Sequence, residues 1–128
     1  MAAVQFMAGE EDREVKRKKI LVVDDHEDIR TVMSMVLESR GFLIKTAPNG
    51  EKALELCRHE DFDFILTDYE MGKERMNGVE FARRVVEELG KSARIFLITA
   101  ATVQPAPYIE RYFQKPAAVS SIIKAMEK

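Results

Sequence analysis

Five polar residues stand directly after short apolar runs: Asp24 and Asp25, Asp68, Thr99 and Lys115. An aspartate in such a place is ordinarily a turn former or a helix cap, and a single lysine is ordinarily solvated. Three carboxylates, a hydroxyl and an amine, placed after successive apolar runs, are harder to assign to turn chemistry alone. If they meet, the carboxylates repel one another and require a cation. Hard oxygen donors that leave room for water suit Mg²⁺ better than a soft or imidazole-seeking metal. Lys115 adds a second positive charge and Thr99 a hydroxyl donor. Those surroundings suit a carboxylate that receives a phosphoryl group, because such transfer depends mainly on positioning and charge neutralisation. Asp68 follows Phe64-Ile65-Leu66-Thr67, which reads as a central buried strand, and is the natural nucleophile.

The elements that must position these residues are legible in the hydrophobic pattern. Residues 20–23, 42–46, 64–67 and 95–98 are apolar, mostly β-branched runs of strand length, and 112–114 is a weaker fifth. Helical spacing separates them. Ile29, Val32, Met33, Val36 and Leu37 share one face, ahead of a Gly41 suited to a left-handed helix end. Ala53, Leu56 and Cys57 form a second face, opened by Asn49-Gly50. Val79, Ala82, Val85, Val86 and Leu89 form a third, ended by Gly90, and Val119, Ile122, Ile123 and Met126 form the last. Strands alternating with helices imply a parallel sheet covered on both faces, with right-handed crossovers. In such α/β folds the ligand site lies beyond the carboxyl ends of the strands. All five residues fall there.

The totals set the frame. At 128 residues the chain suits one domain able to bury about two-thirds of its unfolded surface. A hydrophobic content of 46%, a charged content of 33% and a net charge of −2 describe a globular protein with no global bias toward nucleic acid or membrane. A single cysteine, Cys57, excludes an internal disulfide framework and suits a reducing cytoplasm. No apolar run approaches the roughly 20 residues of a membrane span, and no signal peptide is visible. Residues 1–18 read as a charge-mixed tail or extension, and 19–128 as the domain.

The segment Ile20-Leu21-Val22-Val23-Asp24-Asp25-His26-Glu27, the step Asp68-Tyr69-Glu70-Met71, then Ile98-Thr99-Ala100 and Lys115-Pro116 together resemble the receiver domains of two-component response regulators. The resemblance covers about residues 19–128. It implies a doubly wound, flavodoxin-like five-stranded parallel sheet in the order 2-1-3-4-5. It implies that Asp68 accepts a phosphoryl group from a sensor histidine kinase with Mg²⁺, and that the domain regulates an unidentified downstream protein or effector domain. Asp25, Asp68 and the main-chain carbonyl of Glu70 would hold the ion directly, and Asp24 through water. Lys115, aimed by a cis bond to Pro116, would contact the phosphoryl group. Thr99 and Tyr112 would move inward together as the switch, and Glu70 would tune the phosphoryl lifetime. Such a domain is regulatory and not an enzyme, beyond its own phosphorylation and slow dephosphorylation. It would bind neither nucleic acid nor membrane directly.

Two departures from the family pattern stand out. The loop Met71-Gly72-Lys73-Glu74-Arg75-Met76-Asn77-Gly78 lacks the usual proline and is about two residues longer, which leaves it freer to move. Between Thr99 and Lys115, Pro105 and Pro107 stand where the family has its fourth helix. Proline inside a helix costs about 3 kcal/mol, so that helix is expected to be shortened or missing. The remaining candidates have plainer readings. His26 is expected to point toward the first helix and not to bind metal, and His59 to sit in a charged, solvated loop. Cys57 is a small buried hydrophobe, and Met33, Met35 and Met126 are helix-packing residues. The Lys16–Lys19 run is solvent-exposed charge. Two other functions compete: a receiver fold kept as a binding module without phosphotransfer, and a haloacid-dehalogenase-like phosphatase. The phosphatase wants its nucleophile after the first strand and a cap domain that 128 residues do not accommodate.

Overall fold

Each short apolar run sends alternate residues to opposite faces, so a sheet covered on both sides needs apolar residues at every position. The computed structural model, which describes residues 17–72 and 75–128, has this arrangement in its three central strands. In chain order the elements are β1 (Lys19–Val23), α1 (Glu27–Ser39), β2 (Leu43–Ala47), α2 (Gly50–His59), β3 (Phe64–Asp68), α3 (Gly78–Glu87), β4 (Arg94–Thr99), β5 (Ile109–Gln114) and α4 (Val119–Met126). The five strands form one parallel sheet in the order β2-β1-β3-β4-β5. This is the doubly wound topology expected from the sequence.

Ile20 and Val22 of β1, Phe64 and Leu66 of β3, and Phe96 and Ile98 of β4 face α1 and α4. They pack with Leu37, Ile122, Ile123, Ala125 and Met126. Their neighbours Leu21, Val23, Ile65, Ile95 and Leu97 face the other way and pack with Ala53, Leu54, Cys57, Phe81, Ala82 and Val85 of α2 and α3. Asn49 and Asn77 cap α2 and α3, accepting the backbone N–H of Lys52 and Glu80 at 2.9 Å each. Gly41, at φ +97°, ends α1 in the left-handed conformation anticipated there. No helix among the described residues is long and apolar enough to cross a membrane.

Several expectations need correction. Val32 and Met35 do not pack: they are 58% and 64% exposed, because α1 buries a stripe centred on Leu37 and Met33. His59 is the last residue of α2 and not part of a loop, although it is solvated as expected and pairs with Glu55. β2 starts and ends one residue later than read. β5 begins at Ile109, so 109–111 belong to the sheet. That strand was hard to read because it is an edge with charged residues. Glu110 is held by the Arg94 guanidinium (Nε to Oε1, 2.8 Å), while Ile109 is buried opposite Ile95. No helix lies between β4 and β5, as the two prolines required, and Val103 and Ala106 cover that part of the sheet instead. Residues 1–16 of the expected tail, and Lys73 and Glu74 of the long loop, lie outside the described residues.

Gly78 fixes how α3 starts. Its N–H donates to the Tyr69 carbonyl at 2.8 Å. A Cβ at this position would collide with the Asp68 carbonyl oxygen and stand 2.7 Å from Leu97 Cδ1. Gly78→Ala should therefore lower folding stability by about 1–3 kcal/mol, as for other overpacked positions. Urea denaturation of the two proteins measures it, and unchanged stability would mean that the backbone yields without cost.

Candidate functional site

The order of the strands reverses between β1 and β3, and the crevice there is where such sheets bind ligands. β3 lies between β1 and β4, so its last residue, Asp68, is buried in the middle of that edge. Asp24 follows β1, is buried, and is held by its own N–H to the Ala47 carbonyl at 3.1 Å. Asp25 is next and more open. Thr99 ends β4 and is buried, its Oγ1 accepting the Ala101 N–H at 3.0 Å. Lys115 follows β5, and its N–H donates to the Thr99 carbonyl at 2.8 Å. The Lys115–Pro116 bond is cis, as anticipated.

These placements bring the charges together. Lys115 Nζ lies 3.1 Å from Asp68 Oδ2 and 3.7 Å from Asp24 Oδ2. Burial pushes the Asp68 carboxyl above the usual carboxylate range. The Asp24 charge adds to the rise, and the Lys115 ammonium opposes it. A cleft of about 280 Å³ opens over the group, lined by His26, Asp68, Glu70, Thr99, Ala100, Ala101 and Lys115. Each of Asp24, Asp25, His26 and Asp68 offers one donor atom, and these atoms lie within 4.8 Å of one another. Three carboxylates at that spacing fit a divalent cation with an oxygen preference.

His26 departs from its expected place. Its Nδ1 is 3.0 Å from Asp24 Oδ1 and 3.1 Å from Asp25 Oδ1, so the ring faces the acidic pair instead of α1. Asp24, then Asp25, hold the imidazole above its usual pKa. The backbone decides this, because the His26 N–H also donates to Asp24 Oδ1, at 2.9 Å, and curls the turn inward. Arg30 is a further contributor, donating from Nη1 to the Asp24 carbonyl at 2.7 Å. Its only sequence signal is a position one turn into α1. Cys57 is buried, and desolvation pushes its thiol up to about 11, which leaves it inert at neutral pH.

Residues 20–128 match the family described as the response regulator receiver domain. The chain belongs to the response-regulator receiver family. This receiver is 32% identical over 117 residues to the response regulator receiver protein CpdR of Brucella abortus, covering 87% of this chain and 95% of that one. It also matches longer transcriptional regulators, of whose length it spans 32%. A response regulator from Burkholderia pseudomallei with a phosphorylated aspartic acid, calcium ion and citrate superposes with a TM-score of 0.75 at 31% identity. That match covers 85% of this chain and 66% of that one. The response regulator TrrA of Thermotoga maritima, in complex with Mg²⁺ and BeF, gives a TM-score of 0.72 at 29% identity, covering 85% and 98%.

The raised Asp68 pKa carries a sign. A carboxyl whose folded pKa exceeds its unfolded value lends stability while protonated, and loses it as pH rises through the folded value. At neutral pH the ionised Asp68 is thus a burden on the receiver fold, offset in part by Lys115. In a chelating buffer Asp68→Asn should be more stable than the native chain at neutral pH. The difference should fade as pH falls through the raised folded value and be gone below the unfolded value of about 4. Thermal denaturation across that range checks it, and a variant less stable at neutral pH would contradict the burial argument.

Proposed function

We propose that this receiver is a phosphoacceptor switch in a two-component phosphorelay, with Asp68 taking a phosphoryl group from the phosphohistidine of a sensor histidine kinase. The observation that carries this reading is the Lys115 ammonium 3.1 Å from a buried Asp68 carboxylate, with Asp24 and Asp25 alongside. An Asp68 oxygen attacks phosphorus and forms the new P–O bond. The P–N bond to the partner's imidazole breaks, and its electron pair returns to that ring. Lys115 holds the arriving oxygens by charge, and the Thr99 hydroxyl, now bonded to the Ala101 N–H, turns to donate to one of them. Asp25, Asp68 and the Glu70 carbonyl would hold Mg²⁺, with Asp24 acting through water. The ion, when bound, neutralises charge on the transferred oxygens. Glu70, exposed at the mouth of the cleft, would influence access of water to the product.

The output step follows from the missing helix. The Tyr112 hydroxyl accepts the Ala106 N–H at 2.6 Å, and the Tyr108 hydroxyl donates to Glu87 at 2.8 Å. A small cleft of about 210 Å³, lined by Thr99, Val103, Tyr112 and neighbours, lies beside the switch pair. If Thr99 moves toward a phosphoryl group and Tyr112 follows, the Ala106 N–H loses its partner. The segment 101–108 would then change its order, where the family shifts a rigid helix.

Two measurements test this. Incubation with Mg²⁺ and acetyl phosphate should add one phosphoryl mass to the native chain, read by intact mass spectrometry, and none to Asp68→Asn. Uptake by the variant at the native rate would remove Asp68 from the mechanism. Separately, a beryllofluoride mimic with Mg²⁺ should speed amide hydrogen exchange at Ala106 and across 101–108. Unchanged exchange there, with changes only in the loop after Asp68, would mean that the signal leaves by another face.

A further inference from the structure

We propose that Arg75 is a further phosphoryl-binding residue, whose guanidinium leaves Glu51 for the oxygens of the group arriving on Asp68. The inference rests on the phosphoacceptor reading of Asp68, and adds to it a residue from the stretch of chain that departs from the family pattern.

Arg75 belongs to the long loop between β3 and α3. Its backbone is held on both sides. The Arg75 N–H donates to the Gly72 carbonyl at 3.2 Å. Gly72 holds φ +110°, and a Cβ there would also stand 3.2 Å from Arg75 Cγ. On the other side Met76 rests on the start of α2, where a Cβ at Gly50 would meet its Sδ at 3.0 Å. Arg75 is thereby placed in the wall of a cleft of about 570 Å³ that also includes Asp25, His26 and Glu70. His26 and Glu70 line the cleft over Asp68 as well, so the two clefts adjoin. Among the described residues lining the larger cleft, Arg75 alone carries a permanent positive charge.

The partner that now holds this charge is a weak one. Arg75 Nη1 stands 3.5 Å from Glu51 Oε1, and both side chains are more than half exposed. An exposed ion pair contributes little, because water screens it. A phosphoryl group carries up to two negative charges on three oxygens, and a guanidinium meets such oxygens with two parallel N–H donors. Once that stronger acceptor is at Asp68, it takes the fork from Glu51. In transfer from acetyl phosphate, an Asp68 oxygen forms the new bond to phosphorus. The bond from phosphorus to the acetate oxygen breaks, and acetate leaves with its electron pair. Arg75 neutralises charge on the phosphoryl oxygens during that exchange. Glu51 competes for the same guanidinium and so holds uptake back.

The test is the initial rate of phosphoryl uptake by the full chain from acetyl phosphate with Mg²⁺, read by intact mass. The native chain is compared with Arg75→Ala, Arg75→Lys, Glu51→Gln and the double variant carrying Arg75→Ala and Glu51→Gln, with circular dichroism verifying each fold. Arg75→Ala should slow uptake about fivefold or more. Arg75→Lys should fall between it and the native chain, because it keeps the charge and loses the fork. Glu51→Gln should speed uptake about twofold or more by releasing the guanidinium, and the double variant should match Arg75→Ala. The native advantage over Arg75→Ala should shrink in high salt. A smaller loss in Arg75→Ala, or an equal effect of Glu51→Gln with and without Arg75, would overturn the proposal. No uptake by the native chain would overturn both this inference and the phosphoacceptor reading. Uptake indifferent to Arg75 and Glu51 would overturn this inference alone.

Discussion

Asp68 is a carboxylate buried beside another carboxylate, and the arrangement around it can be understood as a response to that repulsion. Burial and Asp24 both act against its charge, and Lys115 is the cation within 3.1 Å that offsets them. The offset is partial, so further positive charge in the pocket would be favourable. A divalent ion or an incoming electrophile both relieve the same crowding. The groups are held apart and aimed by backbone bonds more than by one another: Asp24 by the Ala47 carbonyl, Lys115 by the Thr99 carbonyl, and the turn after Asp68 by Gly78. A site tuned for chemistry is strained relative to one tuned for stability.

The sheet makes this possible because its topology reverses between β1 and β3. Helices on both faces keep solvent from the strands, and the carboxyl ends remain open as a crevice. After β4 the covering is irregular. Where a helix would follow β4, Val103 and Ala106 cover the sheet from irregular chain, and the Tyr112 hydroxyl holds that chain through one backbone N–H. A cover held by few bonds sits at the low-stability end of a domain, where a small change in one side chain is enough to rearrange it. The prolines that prevent a helix therefore also leave this stretch of the cover to irregular chain.

The wall of the pocket formed by His26 shows how local backbone shape assigns a side chain. The polar N–H of His26 is drawn to Asp24, and the imidazole follows it onto the acidic pair. A residue that could have capped α1 is turned toward the ligand space instead. Together with Arg30 on the Asp24 carbonyl, it makes the β1–α1 turn part of the site's inner surface and not merely a connection.

The amino-acid sequence by itself determined the class of fold and the placement of most of the candidate site. Nearly continuous apolar strands can only be buried on both faces, helical spacing supplies the cover, and the ends of such strands are where polar residues become functional. That logic located Asp24, Asp25, Asp68, Thr99 and Lys115 at one edge, and the two prolines excluded the helix after β4. Tertiary structure decided what periodicity does not encode. β5 starts at Ile109 because Ile95 and Arg94 supply partners from β4, 14 and 16 residues away along their respective pairings. Val32 and Met35 are exposed because α1 presents only a narrow stripe to α4 and the sheet. Gly78 is required because the Asp68 carbonyl and Leu97 leave no room for a Cβ. His26 faces the pocket because a turn, and not a helical repeat, sets its direction. Repeating elements write their orientation into sequence spacing, whereas turns, edges and close approaches depend on partners distant in the chain.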